Sequence, residues 1–317
     1  MLKLDFINVG DGDAVLIRET KYGEPDYVIL VDCGRPHIEF VKGSKRRPAL
    51  NYLMGEGIDH IDLLVLTHLH FDHIGGALAL MHHIPVKRLL VLYLPPEGAK
   101  WVLTPESEEK SVVGLCDALN MFRDIVDFAR EKGCSIERAQ NIAETLRDGL
   151  KLAVYRPDDA LAERQRQVFD ALYLGMRPFH DDIYAVSKER NCSSLIVRLS
   201  YAGRSILLTG DSYAEYWEHG GQERCDILKL PHHGDGKSMT EQLIRRLSPE
   251  YAVISCQNDI SPKKERPSAE IVAMVQRYVP NLLCTENREL PTLPAAAREA
   301  VRITINENGA IACPDGH

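Results

Sequence analysis

The chain has 317 residues and carries 38 Lys and Arg against 46 Asp and Glu, a net charge of −8. That length can bury a full core without disulfide support, and 44% hydrophobic with 26% charged residues excludes wholesale disorder and fibrous structure. The acidic balance exerts no global pull on nucleic acid, while leaving room for a local basic groove.

No apolar run approaches the roughly 20 residues that span a bilayer. Met1-Leu2-Lys3-Leu4-Asp5 lacks the apolar core of a signal peptide and runs straight into a strand. A cytoplasmic protein with no membrane contact is expected. The eight cysteines are scattered without a Cys-x-x-Cys pair, which predicts reduced and mostly buried thiols.

Leu2 to Val9 alternates apolar and polar residues, the pattern of a half-buried strand, and ends at the glycine-rich turn Gly10-Asp11-Gly12-Asp13. Ala14 to Ile17 and Tyr27 to Val31 are further strands. Arg46 to Met54 reads as a short helix, Leu63 to Leu66 as a buried strand, Gly76 to Met81 as a helix, and Leu89 to Leu94 as a strand stopped by Pro95-Pro96. Residues 107–175 are richer in charge, with helical spacing in Val112 to Lys132 and Ala160 to Leu174, so a helical insertion or cover is expected over roughly 100–185. Strands return at Ser194 to Leu199 and Ser205 to Thr209, flanking a hairpin turn at Tyr201 to Arg204. Ile227 to Leu230 and Tyr251 to Ser255 alternate with helices at Thr240 to Leu247 and Ser268 to Tyr278, and the tail closes with Ala300 to Ile305 and Ala310 to Ala312. Two β-rich segments among helices predict two sheets packed face to face under helices, in one domain over 1–317.

The strongest chemical signal is Thr67-His68-Leu69-His70-Phe71-Asp72-His73-Ile74-Gly75-Gly76. His68 and His70 are two apart, so in an extended segment both point to one side. Asp72 and His73 follow where the chain must turn and can aim at a second point nearby. Imidazole and carboxylate suit Zn, Mn or Fe. The glycines at 75 and 76 let the backbone turn closely beneath the site. His82-His83 follows a helix without a companion motif and reads as surface. His37, His60, His180 and His219 are not expected to be ligands. The basic cluster Gly43-Ser44-Lys45-Arg46-Arg47-Pro48 reads either as a solvated face or as a phosphate-backbone contact.

His68-x-His70-x-Asp72-His73 resembles the signature of the metallo-β-lactamase superfamily. Phe6 to Ala14, Leu30 to Gly34, Asn191 to Ser194, Leu208 to Asp211 and Asp226 to Gly234 then fall in the order of one branch, the hydrolase domain of the bacterial competence DNA-uptake channel protein, also found as stand-alone cytosolic proteins. The resemblance covers most of the chain outside its middle. It implies an αββα sandwich, of the α/β (α+β) class, with a two-metal site holding Zn or Mn. His68 and His70 would hold the first metal, Asp72 and His73 the second. Asp211 would bridge them, and His232, with His233 as the alternative, would complete the second site. Asp32 would orient a ligand histidine by a hydrogen bond.

Two departures stand out. Where many members supply a third histidine to the first metal, this chain reads Asn191-Cys192-Ser193-Ser194, so Asn191, water or the Cys192 thiolate would fill the gap. Where the branch usually places a histidine before Pro267, Arg266 stands, able to clamp a phosphate but unable to act as a general acid. The expected activity is a metal-dependent hydrolase in which a hydroxide shared by two cations attacks a phosphodiester, small-molecule or nucleic-acid, with Asp72 and Asp211 central to catalysis and Arg266 and Lys229 on the substrate. The alternatives are a carboxylic ester, thioester or lactone hydrolase on the same fold, and a metal-binding protein without turnover.

Overall fold

The chain is described by a computed structural model at all residues except 39–41, 105–108, 157, 218–222, 257–265, 288–292, 294 and 315–317. The alternation at the N-terminus becomes β1 (Leu2–Ile7), antiparallel to β2 (Val15–Glu19), which is antiparallel to β3 (Tyr27–Val31). After α1 (Ala49–Gly55) the pairing turns parallel. β4 (Ile61–Leu66) joins β3, and β5 (Val86–Val91) joins β4 through α2 (Phe71–Ile74) and α3 (Ala77–His83). The long α4 (Lys110–Glu131) leads to β6 (Ser135–Arg138), parallel to β5.

The chain then enters a second sheet. β7 (Ile142–Arg147) and β8 (Leu150–Tyr155) form a hairpin, followed by α5 (Asp159–Tyr173) and α6 (His180–Lys188). β9 (Ile196–Tyr201) and β10 (Arg204–Leu208) form a second hairpin, and α7 (Ala214–Trp217) follows. β11 (Ile227–Lys229), α8 (Glu241–Leu247), β12 (Tyr251–Ile254), α9 (Ala269–Tyr278) and β13 (Asn281–Cys284) continue in parallel. A two-residue ladder joins β14 (Glu286–Asn287) to β15 (Ala296–Ala297). β16 (Ala300–Ile305) then returns to β1, with β17 (Ile311–Ala312) outside it. One sheet thus has eight strands, in the order β17-β16-β1-β2-β3-β4-β5-β6, and the other seven, β13-β12-β11-β10-β9-β8-β7.

Period-two alternation divides each strand between two cores. Leu63, Val65 and Leu90 meet Leu152, Val197, Leu199 and Val253 between the sheets. Leu64, Leu66, Leu89 and Val91 point the other way, into a layer built by α1, α3, α4, α5 and α6. α8 and α9 cover the outer face of the second sheet through Leu243, Leu247, Ile271 and Val275. The result is the four-layer αββα arrangement.

The middle of the chain departs from expectation. Residues 135–155 are three strands at the sheet edges, not helix. Leu150, Leu152 and Val154 are buried while Lys151 is exposed, a strict alternation after the turn residue Gly149, and edge positions let the neighbouring strands carry charge. The flanking helices are a structural layer, since α4 buries Leu115, Leu119, Phe122 and Val126 at helical spacing against the first sheet.

Parallel pairing matters for function. β3 with β4, and β10 with β11 and β12, send the segments after these strands to one edge of the sandwich, where open α/β sheets bind their ligands.

Candidate metal centre

His68 and His70 follow β4, and His70 is extended before α2 carries Asp72 and His73. Nε2 of His68 lies 2.9 Å from Nδ1 of His70 and 3.9 Å from Oδ2 of Asp211. Gly12 lets the loop after β1 press against this turn: a Cβ there would lie 2.4 Å from the Asp72 carbonyl oxygen. Gly76 allows the same on the other side, where a Cβ would lie 2.3 Å from the Cys33 carbonyl oxygen.

The second sheet brings the remaining donors. Asp211 follows β10 through Gly210, and its amide donates to Oγ of Ser194 at 3.2 Å. His232 and His233 follow β11 with φ of 48° and 55°, left-handed values that cost a non-glycine residue roughly 1–2 kcal/mol each. That backbone is held by the His232 amide donating to the Gly210 carbonyl. His233 places Nδ1 2.9 Å from the Ser255 carbonyl oxygen, which receives its proton and leaves Nε2 facing inward. Nε2 of His233 is 3.6 Å from Asp72 and 3.7 Å from Asp211, and Nε2 of His73 is 3.3 Å from Asp211.

Two clusters share Asp211. His68, His70 and Asp211 form one, and Asp72, His73, Asp211 and His233 the other, each with its ligand atoms within 4.8 Å of one another. Asp32, at φ 60° after β3, stands behind them. Its carboxylate accepts from the Thr67 amide at 2.8 Å and from the Thr67 hydroxyl at 2.7 Å, and it lies 2.7 Å from Nδ1 of His73.

The charges are unbalanced without cations. Asp13, Asp32 and Asp211 are buried; Lys229 pairs with Asp13 and lies 3.9 Å from Asp211, while Asp32 is paired with His73. Burial opposes charge on His73 and His233, yet Asp211 and its neighbouring carboxylates outweigh it and hold both imidazoles above the usual histidine value. Asp72 and Asp211 are pulled well below the carboxylate range against their burial, chiefly by His233 and His73 for the first and by His73 and His233 for the second. Burial pushes His68 well down and His70 to about 3. Nε2 of His73, Nε2 of His233 and Oδ1 of Asp211 are buried without a hydrogen-bond partner. Orphaned donors of metal-binding type, with Nδ1 of both imidazoles engaged elsewhere, fit a pair of divalent cations.

The profile of the metallo-beta-lactamase superfamily matches residues 7–257. The chain belongs to that superfamily. It is 28% identical over 305 residues to ComE operon protein 3 of Bacillus subtilis (strain 168), covering 90% of this chain and 32% of the relative, so it spans about a third of that protein's length. Among solved structures it is similar to the metallo-beta-lactamase fold protein YhfI of Bacillus subtilis (11% identity, TM-score 0.49, covering 95% of this chain and 99% of the other). It is similar also to a diphosphatase of the PhnP family (12% identity, TM-score 0.47, covering 96% and 98%). The chain is a metal-dependent hydrolase of the superfamily, and its buried His/Asp clusters are consistent with a dinuclear metal site.

The structure places the remaining expected residues as follows. His233, not the first choice His232, joins the Asp72–His73–Asp211 cluster. The successive left-handed residues turn the two rings to different points, and His232 instead lies with Nε2 3.0 Å from the Asn191 amide nitrogen and 3.8 Å from Asp211. Asn191 keeps a buried Oδ1 without a partner. Cys192 turns its thiol to Tyr216 and belongs to no ligand cluster among the described residues. Lys229, expected on the substrate, lies beneath the site. It is 1% exposed, paired with Asp13, and donates to the Gly210 carbonyl at 3.0 Å. Arg266 is near the His232 turn, with Nε 3.5 Å from Asp235. The basic cluster is partly taken up by the fold. Arg46 is buried against Glu286 at 2.9 Å, and Arg47 makes an exposed ion pair with Glu299. His37, His82, His83 and His180 are exposed and His60 partly so, none in a ligand cluster, while His219, Lys264 and Glu265 lie outside the described residues.

Sequence reasoning missed three site residues. Asp13 sits under the imidazoles, 3.8 Å from Nδ1 of both His73 and His233. Tyr213 lays its ring edge on His232 at 5.0 Å and faces the Asn191 amide, with burial pushing its hydroxyl to about 12. Arg190 reaches the Leu69 carbonyl. Asp13 was legible in the Gly-Asp-Gly-Asp turn before a strand, whereas nothing local marks Tyr213 or Arg190. All eight cysteines are free thiols. No helix among the described residues is long and apolar enough to cross a membrane.

Proposed function

We propose that this chain hydrolyses a phosphodiester with two divalent cations, Zn or Mn, held by the two clusters that share Asp211. The observation that carries the reading is the set of buried, unpartnered inward atoms on His73, His233 and Asp211; the Arg266 charge acts on the neighbouring His232. Asp72, His73, Asp211 and His233 would hold one cation, and His68, His70 and Asp211 the other, poorer site. Cations bound there polarise a scissile phosphoester and acidify a water.

The protein's own residues do the rest. Asp32 and the Ser255 carbonyl hold the Nδ1 protons of His73 and His233, so that Nε2 stays a lone-pair donor. Burial of the cluster keeps competing water out and strengthens its fields. Arg266, half-buried, makes one ion pair among the described residues, to Asp235, and its Nε is without a hydrogen bond. It offers the planar fork that suits phosphate oxygens. Resemblance to the competence-channel branch also supports a phosphodiester. The internal pairing of Arg46 and Arg47, with the net charge of −8, favours a small phosphodiester over nucleic acid.

The test is hydrolysis of a generic bis-aryl phosphodiester by protein reconstituted with Mn or Zn, beside Asp211→Ala and Arg266→Ala. Metal-dependent turnover abolished by the first change, and KM raised roughly tenfold by the second, is the expected result. No turnover with two cations bound would sink the substrate class and direct the search to carboxylic esters or to a binding role.

A further inference from the structure

Arg190 is 8% exposed, and its guanidinium is spent on backbone carbonyls. Nη1 donates to Leu69 at 2.9 Å and to Gly114 at 3.3 Å, and Nε donates to Ser187 at 3.3 Å. Leu69 is the residue between His68 and His70. Gly114 is on α4 and Ser187 on α6. The carboxylate whose field reaches it is Asp72, through space. Burial lowers its pKa only to about 10, so it stays a cation at neutral pH. The next residue is Asn191, whose side chain lies against His232 and keeps a buried oxygen without a partner.

A buried charged fork is costly unless its hydrogen bonds are satisfied, and here they join three separate elements. α4 and α6 are themselves tied by the hydroxyl of Ser187, which donates to that of Ser111 at 3.0 Å. The backbone before β9 is fixed to the metal loop a second time, since the Leu195 amide donates to the Thr67 carbonyl at 3.0 Å. A lysine could not reproduce the arrangement, because a single ammonium cannot present a planar pair of donors to two helices and a loop.

We propose that Arg190 is the positioning residue of the first cation's site. By holding the Leu69 carbonyl it sets the spacing of His68 and His70. By preceding Asn191 in the chain it fixes the backbone from which that side chain reaches His232. The helical layer is thereby part of the metal centre's support, although it supplies no ligand. The imidazoles of the second cluster are held by Asp32 and Ser255, and Arg190 reaches that cluster only through space, at Asp72. This rests on the two-cation reading of the site.

The experiment is a calorimetric titration of the metal-free full chain with Mn in wild type, Arg190→Met and Arg190→Lys, with folding checked by circular dichroism. The step lost in His233→Ala identifies the second site. Arg190→Met is expected to weaken the other step by about 10- to 100-fold, the usual effect of removing a residue that orients ligands, while the His233-dependent step changes clearly less. Arg190→Lys is expected to recover part of the loss. If Arg190→Met does not fold, Arg190→Lys decides by the same criterion. Equal weakening of both steps, or of neither, would overturn the assignment. Wild type that binds two cations while Arg190→Met is unaffected refutes the positioning role alone. Wild type that binds fewer than two overturns the two-cation reading and this proposal with it.

Discussion

Asp32→Asn isolates one hydrogen bond of the metal centre. Asp32 occupies a left-handed backbone position with φ of 60°, which asparagine tolerates, so the turn after β3 keeps its shape. Its Oδ1 accepts from the Thr67 amide at 2.8 Å, and an asparagine oxygen does the same. Its Oδ2 lies 2.7 Å from both the Thr67 hydroxyl and Nδ1 of His73. An amide nitrogen at that place donates instead of accepting. The threonine hydroxyl can rotate to receive it, but the His73 ring can do so only by moving its proton from Nδ1 to Nε2, the atom that faces the metal cluster. Wrong-tautomer imidazole cannot ligate. Changes of this kind cost about 10- to 100-fold in metal affinity, equivalent to about 1.4–2.7 kcal/mol. Loss of a charge-assisted hydrogen bond should also lower the stability of the metal-free chain by about 1.5–3 kcal/mol. Calorimetric Mn titration measures the first figure and urea denaturation the second. The weakening should fall on the step that His233→Ala removes. A folded Asp32→Asn protein with unchanged affinity at that step would refute the argument that Asp32 sets the His73 tautomer.

The two adjacent histidines should behave differently. His233→Ala is expected to reduce the bound cations from two to one by elemental analysis, whereas His232→Ala keeps both; the reverse pattern would return the ligand role to His232. Lys229→Met leaves the buried Asp13 without its cation, and a loss of about 3–5 kcal/mol in chemical denaturation is expected, well beyond a surface change. Metal stabilisation should grow with pH. Asp211 and Asp32 raise the pKa of His73 in the metal-free chain, so that ion pairing contributes stability in full below the ordinary histidine value and loses it as pH rises through the raised one. Bound cations require neutral imidazole and gain over the same range. The gap between metal-loaded and metal-free melting temperatures should therefore widen as pH rises above the ordinary histidine value of about 6.5, and a constant gap would contradict the charge assignment.

Local chemistry made the ligand loop legible in advance. His68, His70, Asp72 and His73 lie within six residues at the exit of an apolar strand, and donors that dense and that close in sequence converge whatever the rest of the chain does. The two packed sheets were likewise readable, because alternation along Leu2–Ile7 and Ile196–Tyr201 is imposed by the pleat itself. Residues 135–155 were not, since edge strands carry charge on their open faces and blur the period that marks a strand. What only the tertiary structure decided is every contact made across sequence distance. The left-handed backbone at His232 and His233 chose which ring joins Asp72 and Asp211, and no pattern in Pro231-His232-His233-Gly234 encodes that choice. Lys229 looked like a substrate cation beside the motif and is instead the buried partner of Asp13, 216 residues away. Arg46 became the partner of Glu286, and Arg190 joined two helices to the metal loop. In each case a charged side chain was placed by the need to satisfy it inside a low-dielectric interior, and that need exists only once the sheets have closed on one another.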